Sequence, residues 1–163
     1  MIRLFISLTP TTSAAVPVKN TSSALKSSFG VIFLSTIVVI TEPLIQLHSE
    51  DRKKNGITAM VSWVKRDPVD ATTHEIKSLN YLNSILAKIE ANISGVDEAI
   101  CLDKRGFVCE GVAENIFMIR NGEIMTPPTS TGALPGITRD VVMKLAKKLG
   151  YPMVERNITP NEL

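Results

Sequence analysis

The chain has 163 residues, enough for one globular domain and too few for two of full size, and 44% of them are apolar. Its formal net charge of +2, without a long basic run, argues against a nucleic-acid partner. Cys101 and Cys109 lack the spacing and the nearby histidines of a zinc or redox site. We therefore expect no metal, and two buried thiols in a reducing, cytoplasmic compartment.

The first third of the chain has no sustained hydrophobic period. Residues 8–28 are rich in Ser, Thr and Ala, which is typical of a loop or a disordered arm. The apolar run Phe29–Ile40 is too short to cross a bilayer, so we predict a buried strand and no membrane partner. The β-branched segment 36–41 also reads as a strand. Residues 44–54 change from apolar to charged and predict a linker, with a domain boundary near residue 52.

The middle of the chain has clearer periodicity. Residues 57–64 predict a strand. Apolar residues then recur at steps of three and four, which predicts an amphipathic helix over 78–93 that ends at Gly95. The residues that set this period are Leu79, Leu82, Leu86, Ile89 and Ile93.

Short strands and a second helix follow. Strands are predicted at 98–102, 107–109, 115–120 and 123–126, with the hairpin signal Asn121-Gly122 between the last two. A helix is predicted over 137–149, closed by Gly150, and then a strand over 152–158. Residues 159–162 have the form of a capping box with proline at the first helical position. A helix start this close to Leu163 suggests a sequence that is cut short.

Three local features could carry chemistry, and each has an ordinary explanation as well. Lys77, with Tyr81 four residues on, could be a nucleophile or a solvated lysine near a helix end. Glu110 follows a strand and precedes Gly111, which fits either a site carboxylate or a plain turn. Residues 134–140 place a glycine and a threonine at a helix start, where an anion could bind or nothing at all. Together, a lysine, a carboxylate and a helix N-terminus are what pyridoxal phosphate requires.

Four segments, in this order and spacing, are similar to the class IV pyridoxal-phosphate-dependent aminotransferases. They are EIKSLNYLN (75–83), DEAICLD (97–103), EGVAENIF (110–117) and LPGITR (134–139). The resemblance covers about residues 35–163, and the last two segments are most like branched-chain amino acid aminotransferases. It implies an α/β (α+β) class IV aminotransferase fold, of the D-amino acid aminotransferase-like type, present in part, with a mixed sheet and packed helices.

The resemblance also implies roles for individual residues. Lys77 would hold pyridoxal 5'-phosphate as a Schiff base and act as the general base of the proton shift. Tyr81 would hydrogen-bond the ring oxygen of the cofactor. Glu110 would pair with the pyridine nitrogen and keep it protonated. Ala113 departs from the family, in which many members have glycine.

The remaining cofactor contacts implied by the resemblance lie in the LPGITR segment. Leu134 would pack on the ring, whereas Ile137 and Thr138 would hold the phosphate through backbone amides and the Thr hydroxyl. The implied substrates are Leu, Ile or Val together with 2-oxoglutarate. The resemblance also implies that the protein is a homodimer.

The implied domain organisation has three parts. Residues 1–40 would be a remnant of the small N-terminal domain or an unrelated replacement, 41–52 an interdomain linker, and 53–163 an incomplete cofactor-binding domain with exposed apolar surface. Two other enzymes of the class, aminodeoxychorismate lyase and D-amino acid aminotransferase, stay open as alternatives. So does a truncated product without catalytic activity.

Overall fold

A computed structural model describes residues 3–7, 30–34, 37–41 and 49–163, with side chains from residue 49 onward. The arm predicted over 8–28 lies outside these residues. Contacts divide the chain into two compact units, one of Thr11–Gly56 and one that combines Met1–Pro10 with Ile57–Leu163. Within the described residues, no helix has the length and apolar character needed to cross a membrane.

The described residues of the smaller unit form two strands and one short helix. Strands β2 (Gly30–Leu34) and β3 (Ile37–Thr41) pair antiparallel, so the apolar run predicted as one strand forms two. The strand predicted at 36–41 is confirmed as β3. Helix α1 (Glu50–Asn55) occupies part of the predicted linker. It forms because Ser49 accepts a hydrogen bond from the Arg52 amide at 3.3 Å, and Lys53 pairs with Glu50 at 2.6 Å.

In the larger unit, the part of the chain that the structure describes forms two mixed sheets, each with one parallel pair of strands joined by a helix. In the first sheet, β4 (Ala59–Lys65) lies parallel to β5 (Glu98–Leu102), and β5 lies antiparallel to β6 (Val108–Gly111). Helix α2 (Leu82–Ile93) connects β4 to β5. Parallel strands require such a crossover because a tight turn cannot join them.

In the second sheet, strand β1 (Arg3–Ser7) is antiparallel to β7 (Asn115–Arg120), which forms a hairpin with β8 (Glu123–Thr126). Helix α3 (Ile137–Lys148) then leads to β9 (Met153–Glu155), parallel to β8. The strand order of this sheet is therefore β1-β7-β8-β9. Buried apolar side chains from strands of both sheets pack together in one cluster. Its members are Ile100, Leu102, Val108, Ile116, Met118, Met125 and Ile158. The predicted class of α/β with a mixed sheet and packed helices is confirmed.

Helix α2 differs from its prediction at its start. The helix was predicted from residue 78 but begins at Leu82. Residues 78–81 form tight turns instead, in which the Ser78 amide donates to the Ile76 carbonyl at 2.8 Å and the Tyr81 amide to the Leu79 carbonyl at 2.9 Å. The apolar period reports spacing alone, and it cannot detect these local hydrogen bonds.

The face of α2 that packs on the sheet is formed by small side chains. Ser84, Ala87 and Ala91 are buried, and the two alanines pack with Ala99 and Cys101 of β5 and its neighbours. The large residues of the predicted period are exposed, and Leu79, in the turns before the helix, is 98% accessible. Small side chains let the helix lie close to the strands. Within the described residues, it is therefore the face with Ser84, Ala87 and Ala91 that packs inward.

The last strand is shorter than predicted. Residues 152–158 were predicted as a strand, whereas β9 covers Met153–Glu155. Beyond β9, the Ile158 carbonyl accepts a hydrogen bond from the Val108 amide at 2.8 Å, so the chain turns from one sheet toward the other. The predicted capping box is confirmed, with the Thr159 amide donating to Glu162 at 2.8 Å, although the turn it caps is a 3₁₀ turn at Pro160–Glu162.

Candidate cofactor site

A cleft open to solvent lies between the end of β4, the turns before α2 and the loop after β6. Four of the predicted site residues line it: Lys77, Tyr81, Glu110 and Leu134. They come from three separate segments of the sequence, so the fold brings the predicted motifs together.

Glu110 is the buried carboxylate of the cleft. It lies at the end of β6, and its side chain is only 8% exposed. One oxygen, Oε2, accepts a hydrogen bond from the Leu134 amide at 2.9 Å, and Oε1 pairs with Arg66 Nη2 at 3.0 Å. Burial raises the pKa of Glu110, and the positive charge of Arg66, the Leu134 amide and the charge of Lys77 act in the opposite direction. The protonation state of Glu110 therefore depends on these neighbouring groups.

Leu134 is fixed from both sides by the EGVAEN segment. Its amide donates to Glu110, and its carbonyl accepts a hydrogen bond from Asn115 Nδ2 at 2.9 Å. Asn115 is buried at the start of β7. The two motifs thus form one unit, in which Glu110 and Asn115 set the position of the turn that leads into α3.

The turn also needs Gly136. A Cβ atom at this position would lie 2.3 Å from Asn115 Oδ1, closer than any real contact allows. Asn115 can therefore reach the Leu134 carbonyl only because residue 136 has no side chain. The backbone conformation of Gly136 (φ −66°, ψ 145°) is one that any residue can adopt. Glycine is therefore required here because Asn115 approaches closely, and not because of the backbone conformation.

Ile137 and Thr138 begin α3, a few residues beyond Leu134, and neither lines the cleft. The N-cap, Gly136, offers no side-chain hydrogen bond to the first amides of the helix, and the Ile137 side chain is 85% exposed. An uncapped helix N-terminus of this kind can bind an anion. The donor set fits pyridoxal phosphate: an amine, a phenol and a buried carboxylate line one cleft, and α3, whose first amides have no side-chain cap, begins three residues after Leu134.

Two further residues of the site were not predicted from the sequence. Arg66 follows β4 and contacts Glu110, and His74 contacts Arg66 through Nδ1 at 3.3 Å. The only available signal was a charged segment, Lys65–Asp67, directly after a strand. Charge after a strand is too common to single out a site residue without the fold. Among the described residues, no group of three His, Cys, Asp or Glu side chains could hold a metal.

Comparison with known proteins defines the class first. The sequence model of the family described as amino-transferase class IV matches residues 10–163. The chain therefore belongs to the class IV aminotransferases.

Within that class, the similar proteins include branched-chain amino acid aminotransferases. A protein of Methanocaldococcus jannaschii assigned this name is 52% identical over 128 residues, covering 78% of this chain and 43% of the relative. The Escherichia coli K12 enzyme is 42% identical over 111 residues, covering 68% of this chain and 36% of the relative. The chain thus spans about two fifths of the length of these relatives.

Solved structures give the same result. The Escherichia coli branched-chain amino acid aminotransferase superposes with a TM-score of 0.74 at 38% identity, covering 77% of this chain and 42% of that one. The Thermobaculum terrenum enzyme, solved in its PLP form (the holo form), has a TM-score of 0.68 at 32% identity, covering 77% and 40%. The expected class IV fold, present in part, is confirmed.

Proposed function

We propose that the chain carries the pyridoxal 5'-phosphate site of a branched-chain amino acid aminotransferase, with Lys77 as its catalytic residue. The observation that supports this most directly is the convergence of Lys77, Tyr81, Glu110 and Leu134 on one cleft. The reaction would move an amino group reversibly between Leu, Ile or Val and 2-oxoglutarate. The names of the relatives, one of them solved in its PLP form, support the same assignment.

Glu110 is suited to bind a protonated ring nitrogen. When bound, the cofactor supplies an electron sink for the carbon that loses a proton. Each carboxylate oxygen of Glu110 has two lone pairs and uses one, on Arg66 or on the Leu134 amide, so each can accept a further hydrogen bond. A negative charge held in a buried position stabilises a proton on a nearby nitrogen more strongly than it would in water.

Lys77 would hold the cofactor through its amine and move the proton at the reacting carbon. Tyr81, which lines the same cleft, would donate its hydroxyl hydrogen to the ring oxygen. Leu134 would cover one face of the ring, because its backbone is fixed from both sides. The amides of Ile137 and Thr138, with the Thr138 hydroxyl, would bind the phosphate at the start of α3.

We also propose a homodimer of cytoplasmic location, in which 53–163 is the cofactor-binding domain and 41–52 the linker. The free, buried cysteines Cys101 and Cys109 support a reducing compartment. Light scattering of the purified chain tests the oligomeric state.

The function is tested by a half-reaction. The chain is mixed with pyridoxal phosphate and L-leucine, and the 2-oxo acid is quantified by mass spectrometry. We expect one equivalent of oxo acid per bound cofactor, none with Lys77→Ala, and an unchanged yield with Lys147→Ala, a matched lysine near the end of α3. Full activity of Lys77→Ala would contradict the proposal.

Substrate choice separates the alternatives. Product from D-alanine or aminodeoxychorismate, with none from L-leucine, would favour D-amino acid aminotransferase or aminodeoxychorismate lyase. Cofactor binding without turnover of any of these substrates would favour a non-catalytic product. We keep this last alternative because the chain spans 43% of the length of the Methanocaldococcus relative.

A further inference from the structure

We propose that Arg66 is a positioning residue of this site, and that His74 holds the Arg66 guanidinium group against Glu110. The consequence for the cofactor rests on the function proposed above, whereas the interaction itself is a property of the chain alone. Arg66 lies just beyond β4, and Arg66 Nη2 donates to Glu110 Oε1 at 3.0 Å. Arg66 and His74 both line the cleft, and the role proposed for each acts through Glu110.

The hydrogen bonds of His74 determine its proton position. His74 Nε2 lies 3.0 Å from the Asp67 carbonyl oxygen, which can only accept, so Nε2 carries the proton. His74 Nδ1 lies 3.3 Å from Arg66 Nη2, and a guanidinium group can only donate, so Nδ1 must be the acceptor. His74 therefore points a lone pair of Nδ1 at Arg66, and its Nε2 hydrogen at Asp67, whose Oδ2 also lies 3.5 Å from Nε2.

The other guanidinium nitrogens are also held. Arg66 Nε donates to the Gly132 carbonyl at 3.3 Å, and Arg66 Nη1 donates to Ser84 Oγ at 3.3 Å. The arginine side chain is 13% exposed. All three nitrogens have acceptors on different segments, so the position of the planar group is fixed on every side.

Gly132 makes room for this arrangement. A Cβ atom there would lie 3.2 Å from Arg66 Cγ and 3.5 Å from His74 Cδ2. Gly132 also has a φ of +92°, in the left-handed region that disfavours other residues. Asp67 completes the set, since it accepts hydrogen bonds from Thr72 at 2.7 Å and from Asn80 at 3.4 Å. Asn80 lies in the turns that separate Lys77 from Tyr81, so the network reaches the segment that carries these two residues.

The network has a specific chemical effect. Burial favours a protonated Glu110, and an adjacent cation favours the carboxylate. A carboxylate is the form that can accept a hydrogen bond from a protonated ring nitrogen. Arg66 therefore favours the carboxylate form of Glu110, against the effect of burial. His74 contributes by accepting a hydrogen bond from Arg66 and so holding the guanidinium group in place.

The test is a carboxyl titration of the cofactor-free, 163-residue chain. Glutamate is labelled with ¹³C at the side-chain carboxyl, and Glu110→Gln identifies the Glu110 signal. We expect Arg66→Met to raise the pKa of Glu110 by about one unit or more. Arg66→Lys keeps the charge and should shift it less. Arg105→Met is the matched control, because Arg105 pairs with Asp103 at 2.8 Å and does not contact Glu110.

Two substitutions of His74 test whether this residue holds Arg66 against Glu110. His74→Asn keeps an acceptor near the Nδ1 position and should leave the Glu110 titration close to that of the parent chain. His74→Gln moves the amide to the Nε2 position, loses the acceptor and should raise the pKa of Glu110. Far-UV circular dichroism verifies folding; if Arg66→Met does not fold, the comparison of His74→Asn with His74→Gln decides.

The outcomes separate this inference from the proposed function. An unchanged Glu110 titration in folded Arg66→Met, or equal titrations in the two His74 variants, would overturn the positioning role even if the chain binds pyridoxal phosphate. If Arg66→Met raises the pKa of Glu110 but the parent chain binds no pyridoxal phosphate, the role of Arg66 would stand and the proposed cofactor site would be wrong. A parallel measurement, the absorption band of added pyridoxal phosphate, should change in Arg66→Met and not in Arg105→Met.

Discussion

Replacing Gly136 by alanine tests the contact that joins the two site motifs. The added Cβ would lie 2.3 Å from Asn115 Oδ1 and 3.4 Å from Asn115 Cγ, so the Asn115 side chain must move. Asn115 is buried, and its movement breaks the 2.9 Å hydrogen bond to the Leu134 carbonyl. A buried polar group without its partner costs about 1–3 kcal/mol. We expect the free energy of unfolding to fall by that amount.

The control reverses the sign of the effect. In an Asn115→Ala background the clash is gone, and the Gly136 backbone suits alanine. Gly136→Ala should then be neutral or stabilise by about 0.4–1 kcal/mol, because alanine restricts the unfolded chain. Urea unfolding followed by circular dichroism gives all four free energies of the double-mutant cycle. Equal effects of Gly136→Ala in both backgrounds would refute the proposed clash.

Three further predictions concern stability and reactivity. Burial raises the pKa of Cys101 to about 11 and raises that of Cys109 as well, so a thiol reagent at pH 8 should modify both slowly until urea is added; fast reaction without urea would contradict their burial. The hydrogen bond from Arg156 lowers the pKa of Glu162 from 4.5 to about 2, so its stabilisation is present above pH 4.5 and is lost toward pH 2. Glu162→Gln should remove this part of the pH dependence of unfolding, and an unchanged profile would argue against it. Asn121 has a φ of 53° in the hairpin turn, so Asn121→Val should destabilise by about 1–2 kcal/mol and Asn121→Gly should not, as measured by urea unfolding.

Elements set by local chemistry were predictable from the sequence. The Asn121-Gly122 hairpin, the strands at 98–102 and 115–120, and helix α3 are where the sequence placed them. Their turn residues and periods specify them without reference to the rest of the chain. The start of α2 and the end of β9 were wrong by several residues, because hydrogen bonds outside the regular pattern end these elements.

The inward face of α2 was not predictable from hydrophobic period. The period marks Leu82, Leu86 and Ile89, whereas the described core receives Ala87 and Ala91. A helix that lies close to a sheet needs small side chains at the contact, and hydrophobicity ranks those below leucine and isoleucine. Which stripe packs inward is therefore decided by the distance between helix and sheet.

The site was partly predictable. Resemblance identified Lys77, Tyr81, Glu110 and Leu134, and the fold gathers these four around one cleft. Arg66 and His74 carry no local motif, and their role depends on distances to Glu110 and Asp67 that only the fold defines. The roles of Ile137 and Thr138 stay predictions, since neither lines the cleft.

The central claim is that Lys77 is the cofactor lysine, and borohydride trapping tests it most directly. The chain is mixed with one equivalent of pyridoxal phosphate, reduced, digested and mapped by mass spectrometry, with Lys77→Arg as the control. We predict one dominant adduct, on Lys77, that disappears in the variant without appearing elsewhere. Adducts scattered over exposed lysines such as Lys144 and Lys147, with Lys77 no more reactive than these, would contradict the claim.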